Sequence, residues 1–405
     1  MNYKEALEKL SVCGQQHILE YYDELSDDEK ECLLSQVENL DMSLLKCFNE
    51  RNISGKRGDF KPLGAVSIEE VKERYDEFSG AGLDAIKNGK VAAVLLAGGQ
   101  GTRLGFEHPK GMFNIGIDKN LYIFECLMNN IKSVSEKAEA FIPLYIMTSE
   151  TNNSETIDFF EKHNYFGYNK DYVTFFVQDM AFAVDDAGKI ILEEKGKIFL
   201  SPNGNGGWFS SIAKAGLLKE IKDKGIEWIN VFAVDNVLQK IADPAFIGAV
   251  ICSECESGGK VVSKVSPDEK VGVLCLEDER PSIVEYYEMT DEMINRREAD
   301  GSLSYRYGVI LNYLFRTDRL EEIMNNEMPV HIVKKKVNCL DENGNPVNRE
   351  VFKFETLVLD MIHMQESCLS YEVERNHEFA PVKNAEGVDS VDSARKLLIE
   401  NGIEI

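Results

Sequence analysis

Basic residues are scarce in this sequence relative to acidic ones. Lysine and arginine total 45 against 70 aspartates and glutamates, which gives the 405 residues a formal net charge of −25. This much negative charge repels nucleic acid and anionic membrane surfaces, so we expect the protein to bind neither. A small anionic substrate is not excluded, but its site would have to gather cations locally.

Long hydrophobic runs are missing as well. No stretch approaches the roughly 20 apolar residues that cross a bilayer, and residues 1–10 contain no apolar core of a secretion signal. The cysteines number nine and are scattered from Cys13 to Cys368. An odd and scattered set is typical of reduced, mostly buried thiols, so we expect a cytoplasmic protein.

A complete set of zinc-binding cysteines is also lacking. Cys252 and Cys255 have the spacing of half a zinc site, but Cys275 alone does not complete four tetrahedral ligands. Packing on a helix is therefore the favoured interpretation of the pair. The sequence has no internal repeats or low-complexity segments, and its length predicts two or three globular domains.

The most informative stretch begins at residues 91–97, seven apolar residues without alternation. This pattern predicts a strand buried on both faces of a parallel sheet. The glycine loop, residues 98–111, follows directly, and its glycines let backbone N–H groups come close to a ligand. Arg103 and Lys110 add two cations to the loop. Free donors and cations together suit the oxygens of a polyphosphate.

Three phosphate-binding patterns can be compared with the glycine loop. The Walker A pattern fails, because residues 105–110 are Gly-Phe-Glu-His-Pro-Lys. The dinucleotide-binding pattern fails because the spacing from Gly99 to Gly105 has one residue too many. The sugar nucleotidyltransferase pattern, Gly-Gly-x-Gly-Thr-Arg-Leu followed by Pro-Lys, is matched in full. An ordinary glycine turn with two solvated cations is the structural alternative.

The remaining chain predicts helices first and then an α/β core. Residues 1–60 have apolar positions at helical spacing, while later segments alternate between strand and helix patterns, which predicts a mostly parallel sheet. Ligands of such sheets bind beyond the carboxyl ends of the strands. Gln178 and Asp235 each follow a predicted strand, so both are expected there. A second glycine-rich loop, residues 201–208, is either a ligand loop or a surface turn.

The glycine loop and the motifs after it resemble the eukaryote-type UDP-N-acetylglucosamine pyrophosphorylases of the UDP-sugar pyrophosphorylase family. The resemblance covers roughly residues 85–395. Its motifs are Leu-Ala-Gly-Gly-Gln-Gly-Thr-Arg-Leu-Gly at 96–105, Pro-Lys-Gly at 109–111, Met-Thr-Ser at 147–149, Gly-Asn-Gly-Gly at 204–207, Val-Asp-Asn at 234–236, Val-Glu-Tyr at 284–286 and Phe-Ala-Pro-Val-Lys-Asn at 379–384. Relatives of the UDP-glucose pyrophosphorylase type carry a different glycine loop. The chain therefore resembles the members that act on N-acetylhexosamine phosphates more than those that act on glucose 1-phosphate.

The resemblance implies a set of site residues. Those implied for the nucleotide are Leu96, Ala97, Gly98, Gly99, Gln178, Gly204, Asp235 and Lys353. Those implied for the sugar phosphate are Asn205, Glu285, Tyr286, Asn312 and Lys383. Arg103, Lys110 and Lys383 are implied to act on the reacting phosphates, with Asp235 as a ligand of Mg²⁺. The chain departs from the family pattern at Asn203, Trp208 and Val382, where aspartate, leucine and leucine are usual.

The resemblance also implies the fold: an α/β protein with a Rossmann-like nucleotidyltransferase core, a helical N-terminal region and a small α+β C-terminal domain. The predicted ranges are 61–325 for the core, 1–60 for the N-terminal region and 326–405 for the C-terminal domain. The oligomeric state is left open.

The implied reaction is Mg²⁺-dependent in-line transfer of uridylyl from UTP to N-acetylglucosamine 1-phosphate, which releases pyrophosphate. A phosphate monoester has a second pKa of about 6 and is already largely dianionic at neutral pH, so no general base is needed. Glucose 1-phosphate is the alternative acceptor. A non-catalytic sugar-nucleotide binding protein is an alternative of another class, although Arg103, Lys110 and Asp235 are all present. A dinucleotide oxidoreductase is disfavoured by the glycine spacing.

Overall fold

The structure of the protein, a computed structural model, describes residues 1–50, 57–324 and 328–405. The α-helices of these residues are α1 (Tyr3–Val12), α2 (Asp27–Asn39), α3 (Ser43–Glu50), α4 (Ile68–Glu73), α5 (Tyr75–Lys87), α6 (Ile123–Ala138), α7 (Asn153–Lys162), α8 (Trp208–Lys214), α9 (Leu217–Asp223), α10 (Pro244–Cys252), α11 (Asp291–Asn295), α12 (Thr317–Met324), α13 (Val358–His363), α14 (Arg375–Glu378) and α15 (Val391–Glu400). Within the described part of the chain, no helix is both long and apolar enough to cross a membrane.

The β-strands of the described residues are β1 (Phe60–Pro62), β2 (Val91–Leu96), β3 (Leu144–Thr148), β4 (Val173–Val177), β5 (Met180–Val184), β6 (Leu192–Glu194), β7 (Lys197–Ile198), β8 (Leu200–Pro202), β9 (Trp228–Ala233), β10 (Ser257–Ser263), β11 (Val273–Glu277), β12 (Arg280–Val284), β13 (Tyr307–Arg316), β14 (His331–Leu340), β15 (Pro346–Glu355) and β16 (Cys368–Glu372). Short 3₁₀ turns lie at Gln16–Leu19, Tyr22–Glu24, Thr102–Leu104, Lys110–Met112, Asn164–Gly167, Lys170–Tyr172 and Asn205–Gly207.

The chain divides into two compact units, each built from separated segments. The first unit comprises the described residues of Met1–Arg57, Asp179–Gly207 and Met328–Val358. The second unit comprises those of Gly58–Gln178, Trp208–Glu327 and Leu359–Ile405. Neither unit coincides with a predicted range, because the tail from residue 328 contributes its first part to one unit and its last part to the other.

A large mixed sheet forms the second unit. Its central strands β9, β2, β3 and β4 are adjacent and parallel, as the alternating strand and helix patterns predict. Every residue of β2 is buried, which agrees with its uninterrupted apolar sequence. The sheet continues beyond β9 through antiparallel strands β13 and β11, and β16 joins it parallel to β10. The predicted α/β fold with a largely parallel central sheet is confirmed.

Helices of the second unit bury apolar faces against this sheet. Helix α6 is an example, with Ile123, Phe124, Leu127 and Ile131 all in the same apolar core as β2. Because this core packs around the central strands, it fixes the positions of their carboxyl ends. The loops that carry the predicted site residues therefore start from fixed points.

The first unit packs the N-terminal helices against antiparallel strands. Helices α1 and α2 begin with capping boxes at Asn2 and Ser26, and with α3 they confirm the helical prediction within residues 1–50. Residues 51–56 lie outside the described residues, and residues 57–60 are not helical, since β1 begins at Phe60. The strands run in the order β14, β15, β5, β8. Phe48 of α3 contacts Phe354 of β15 with ring centroids 6.4 Å apart. The helices and the sheet thus share one apolar core.

Candidate active site

The glycine loop starts from the carboxyl end of β2 and folds back on itself. The Ala97 N–H donates to Met147 O on β3 over 2.8 Å, which fixes the point where the loop begins. Within the loop, Gly101 N donates to His108 O over 2.9 Å and Lys110 N donates to Gly99 O over 3.2 Å. These bonds close the loop and bring both of its ends to the edge of the sheet.

Lys110 is the most enclosed cation of this loop. Its side chain is 16% exposed, and its Nζ lies 3.8 Å from Asp235 Oδ2. Burial lowers the pKa of Lys110, and although Asp235 opposes the shift, the positive charges of Lys383 and Arg103 reinforce it. Lys383 and Arg103, the other two predicted site cations, therefore lie close enough to Lys110 for their charges to act on it.

Asp235 and Lys383 are joined through the backbone. Asp235 follows β9, and its carbonyl oxygen accepts a hydrogen bond of 2.8 Å from Val382 N. Lys383 is the next residue, with its Nζ 3.2 Å from Asp389 Oδ2. The sequence separates Asp235 from Lys383 by more than a hundred residues, and this backbone contact brings them to the same edge of the sheet.

The predicted nucleotide residues at the strand ends form a close-packed surface. Leu96 and Ala97 are buried, while Gly98 and Gly99 turn outward from the end of β2. Gln178, at the end of β4, is buried, and a Cβ placed on Gly98 would come within 2.4 Å of its Nε2. Glycine at position 98 therefore leaves room for the Gln178 amide.

Glu285 and Tyr286 follow β12 in the same unit. The path of paired strands from β9 to β12 runs through β13 and β11. Glu285 N donates to Glu288 Oε2 over 2.9 Å, and the Tyr286 side chain is exposed. Both residues border solvent at a strand end, and their sugar-binding role stays a prediction.

Asn312 has a different setting from the other predicted sugar residues. Its side chain is fully buried. Its Oδ1 accepts from Asn230 Nδ2 over 2.8 Å, and its Nδ2 donates to Lys240 O over 3.2 Å. Because both ends of the amide bond protein groups, the structure shows Asn312 as part of a buried network. Its predicted contact with the sugar remains untested.

Gly204, Asn205 and Lys353 belong to the first unit. Gly204 has φ +89°, and a Cβ there would lie 2.2 Å from Thr356 O, so this turn requires glycine for packing. Asn205 Oδ1 accepts from Val358 N over 3.0 Å. Lys353, on β15, has its pKa lowered by burial. Their ligand roles stay predictions.

Trp208 departs from the usual leucine, and its indole is accommodated inside the second unit. The side chain is fully buried, with its ring centroid 5.4 Å from Phe209 and 6.3 Å from Phe315. Phe315 pairs with Ile229 near the start of β9, whereas Asp235 follows the other end of that strand. The larger side chain therefore fills core volume at the end of β9 away from Asp235.

The donor set for a divalent cation is small. Across residues 1–50, 57–324 and 328–405, no group of three or more His, Cys, Asp or Glu side chains converges on a metal position. Asp235 offers one carboxylate, 22% exposed, 3.8 Å from Lys110 Nζ. A single carboxylate suits Mg²⁺ when substrate phosphates and waters supply the other ligands, so Asp235 fits such an ion.

One positioning residue was not identified from the sequence. Asn152 is fully buried, and its Nδ2 donates to Ala97 O over 3.1 Å while its Oδ1 accepts from Ser149 N over 2.7 Å. It therefore links the ends of β2 and β3 directly below the glycine loop. Its signal in the sequence is a polar residue just after a buried strand, which also describes many ordinary turns.

A buried parallel strand, a glycine loop at its carboxyl end and an enclosed lysine near the carboxylate that follows β9 define a nucleotidyltransferase-like α/β protein. A family model described as UTP–glucose-1-phosphate uridylyltransferase matches residues 51–401. The chain therefore belongs to this uridylyltransferase family, and the predicted resemblance is confirmed.

Curated relatives and solved structures agree with this assignment. The chain is 34% identical over 410 residues to UDP-N-acetylhexosamine pyrophosphorylase-like protein 1 of Mus musculus, covering 94% of this chain and 80% of that protein. It is 34% identical over 423 residues to UDP-N-acetylglucosamine diphosphorylase 2 of Arabidopsis thaliana, covering 98% and 83%. The crystal structure of UDP-N-acetylglucosamine pyrophosphorylase from Trypanosoma brucei in complex with an inhibitor superposes with a TM-score of 0.86 at 28% identity, covering 98% of this chain and 84% of that one.

Proposed function

We propose that the protein transfers uridylyl from UTP to N-acetylglucosamine 1-phosphate and releases pyrophosphate. The observation that supports this most directly is Lys110, which lies 3.8 Å from Asp235 and whose pKa is lowered by burial and by the charges of Lys383 and Arg103, in a protein of net charge −25. Lys383 and Arg103 disfavour the charged form of Lys110, and a bound polyanion would relieve this repulsion, so their proximity favours a polyanionic substrate. Membership of the family supports uridylyl transfer, and the names of the relatives support an N-acetylhexosamine acceptor.

The mechanism requires positioning rather than proton abstraction. The acceptor phosphate is already largely dianionic at neutral pH, so it can attack the α-phosphate without a general base. Lys383 would hold the acceptor phosphate, while Arg103 and Lys110 would neutralise the triphosphate and the leaving pyrophosphate. Backbone N–H groups of the glycine loop would donate to phosphate oxygens. Most of the rate enhancement then comes from alignment and electrostatic stabilisation.

We propose Mg²⁺ as the cofactor and Asp235 as its protein ligand. When bound, Mg²⁺ would supply further charge neutralisation between the phosphates. The 3.8 Å separation from Lys110 is longer than a direct hydrogen bond, so the Asp235 carboxylate keeps oxygen lone pairs for a second partner.

Glu285 and Tyr286 are our candidates for contacts with the sugar hydroxyls, because both lie at a strand end beside solvent.

We also propose a cytoplasmic location. The buried thiols Cys126 and Cys368 agree with it, since burial raises the pKa of each to about 12 and keeps them unreactive.

The test is a single assay in which three sugar 1-phosphates compete for UTP in the presence of Mg²⁺. Pyrophosphate release reports the total turnover, and the three UDP-sugar products are quantified separately to give the kcat/KM ratios. N-acetylglucosamine 1-phosphate should exceed glucose 1-phosphate in kcat/KM by about tenfold or more, because a site built to bond an amide leaves polar groups unpaired when the amide is absent. N-acetylgalactosamine 1-phosphate keeps the amide and should be a partial substrate.

The alternatives give different results in the same assay. Equal or better use of glucose 1-phosphate would contradict the N-acetyl assignment but retain uridylyl transfer, the activity after which the family is described. UTP binding without pyrophosphate release for any of the three sugars would support a non-catalytic sugar-nucleotide binding protein instead.

A further inference from the structure

A buried lysine outside the proposed phosphate site links two acidic residues. Lys260 lies on β10 with no exposed side-chain surface, and its Nζ is 2.8 Å from Asp243 Oδ2 and 2.5 Å from Glu378 Oε2. Lys240 reaches the other carboxylate oxygen of Glu378, Oε1, over 3.1 Å. A charged group that is buried away from water costs free energy unless an opposite charge pairs with it. Removing one member of this cluster would therefore leave its buried partner unpaired or less well paired.

Asp243 is the acidic member of this cluster whose charge the surroundings favour. Burial raises the pKa of Asp243, but the positive charges of Lys260 and Lys240, with hydrogen bonds from Lys260 and Ala245 N, bring it below its usual value. Asp243 and Lys260 thus form a buried ion pair rather than a neutral hydrogen bond.

Glu378 anchors the segment that leads to Lys383. Its backbone oxygen accepts from Asn236 Nδ2 over 2.8 Å, and Ala380 N donates to Asn236 Oδ1 over 2.9 Å. Two residues further on, Val382 N donates to Asp235 O. Residues 378–382 therefore run antiparallel to residues 235–236, with one end of the paired segment fixed by Lys260.

The loop that follows Asp235 is held by the same lysine. Lys260 Nζ donates to Lys240 O over 3.4 Å and pairs with Asp243 at the end of this loop. Nearer to Asp235, Gln239 Nε2 donates to Asn236 O over 3.0 Å. Lys260 is thus bonded both to the loop that carries Asp235 and, through Glu378, to the segment that carries Lys383.

We propose that Lys260 is a positioning residue that sets the placement of Lys383 relative to Asp235. It contacts no reacting atom and acts through Glu378 and Asp243. The inference rests on the proposed function, because Lys383 and Asp235 are assigned there to the acceptor phosphate and the metal. The glycine loop is fixed separately through β2 and β3, so loss of the network should affect the acceptor more than UTP.

The test compares Glu378→Gln with the wild type and with Ser257→Ala. Glu378→Gln keeps Lys260 paired with Asp243 and should fold, whereas Lys260→Met would remove the buried lysine from both carboxylates and leave Glu378 with Lys240 alone. Ser257 lies on β10, the strand of Lys260, and is as fully buried as Lys260. Its Oγ donates to Ser367 O, which does not belong to the network. It is the matched control for a loss of stability alone.

We expect Glu378→Gln to raise the KM for the sugar 1-phosphate by about tenfold, since a small misplacement of a binding group is sufficient for such a loss. The Kd for UTP should stay at the wild-type value, and Ser257→Ala should change neither constant. An unchanged KM despite a lower Tm, or an equal loss of UTP affinity, would overturn the proposal.

Amide hydrogen exchange separates this inference from the proposed function. In Glu378→Gln, residues 379–383 should exchange faster while the glycine loop keeps its wild-type protection. Unchanged exchange in residues 379–383 would overturn the positioning role whatever reaction the enzyme catalyses. An inactive wild type would instead contradict the proposed function alone.

Discussion

Lys110→Met should lower turnover by about 10²- to 10³-fold, the range for removal of one preorganised charge-stabilising donor. The Lys110 side chain is 16% exposed, so its charge acts where water screens it weakly. Two unit charges 4 Å apart interact by about 4 kcal/mol at an effective dielectric constant of 20. A rate loss of 10²- to 10³-fold corresponds to about 2.7–4 kcal/mol, so the two estimates agree.

The assay is steady-state pyrophosphate release, with Lys90→Met as the matched control. Lys90 pairs with Glu227 over 2.7 Å just before β2 begins, at the opposite end of this strand from the glycine loop. Both variants replace one lysine by an apolar side chain of similar length, and both should show cooperative thermal unfolding. Near-wild-type turnover in Lys110→Met, or an equal loss in Lys90→Met, would refute the assigned role of Lys110.

The same residue predicts a pH dependence whose sign can be worked out. Because burial and the neighbouring cations lower the pKa of Lys110 from 10.5, rising pH removes its proton earlier than it would from an exposed lysine. A bound triphosphate favours the charged form and raises the pKa again. UTP binding should therefore take up protons at alkaline pH, once the pH exceeds the lowered pKa of Lys110 in the free protein. UTP affinity should fall as pH rises through that lowered pKa.

Calorimetry of UTP binding in two buffers of different ionisation enthalpy measures this proton uptake. Lys110→Met should take up fewer protons than the wild type at the same pH, and its affinity should depend less on pH. Equal uptake by the two proteins would show that another group is responsible.

Three further changes test other parts of the site. Asp235→Asn should raise the Mg²⁺ concentration needed for half-maximal turnover, because an amide is a poorer ligand for a hard cation, and an unchanged Mg²⁺ titration would remove Asp235 from the metal site. Gly98→Ala should raise the KM for UTP while the protein still folds, since its Cβ would displace the end of the Gln178 side chain; an unaltered KM would mean that Gln178 does not contact the nucleotide. Asn152→Ala should lower the free energy of unfolding by about 1–3 kcal/mol for each buried backbone group that it leaves unpaired. If urea denaturation shows no loss of stability, Asn152 does not support the strand ends below the glycine loop.

The parts of the fold that the sequence predicted are those defined by local patterns. An uninterrupted apolar run was sufficient to identify β2, because only a strand covered on both faces is buried along its whole length. The glycine loop and Asp235 were then placed correctly beyond strand ends, since parallel strands end at a common edge. Each of these inferences needs information from fewer than about twenty neighbouring residues.

Contacts between distant segments could not be predicted in the same way. Strands β14 and β15 have clear patterns, but nothing in them shows that β15 pairs with β5 of the first unit. Hydrophobic periodicity reports that a face is buried and not which segment covers it. Local patterns also do not show that the Asn312 amide bonds Asn230 and the Lys240 backbone inside the second unit, and its link to the sugar, which the resemblance implies, stays a prediction.

The charge distribution explains why the cations of the site need a rigid support. With a net charge of −25, the protein as a whole repels a triphosphate, so binding has to come from short-range contacts. Arg103, Lys110 and Lys383 provide such contacts only if they stay close together before the substrate arrives, against their mutual repulsion. Backbone bonds do this for the glycine loop, and a hydrogen bond from Val382 ties the Lys383 segment to Asp235. The paired ions at Lys260 complete the support, since they bind both segments without adding a further unpaired charge near the phosphates.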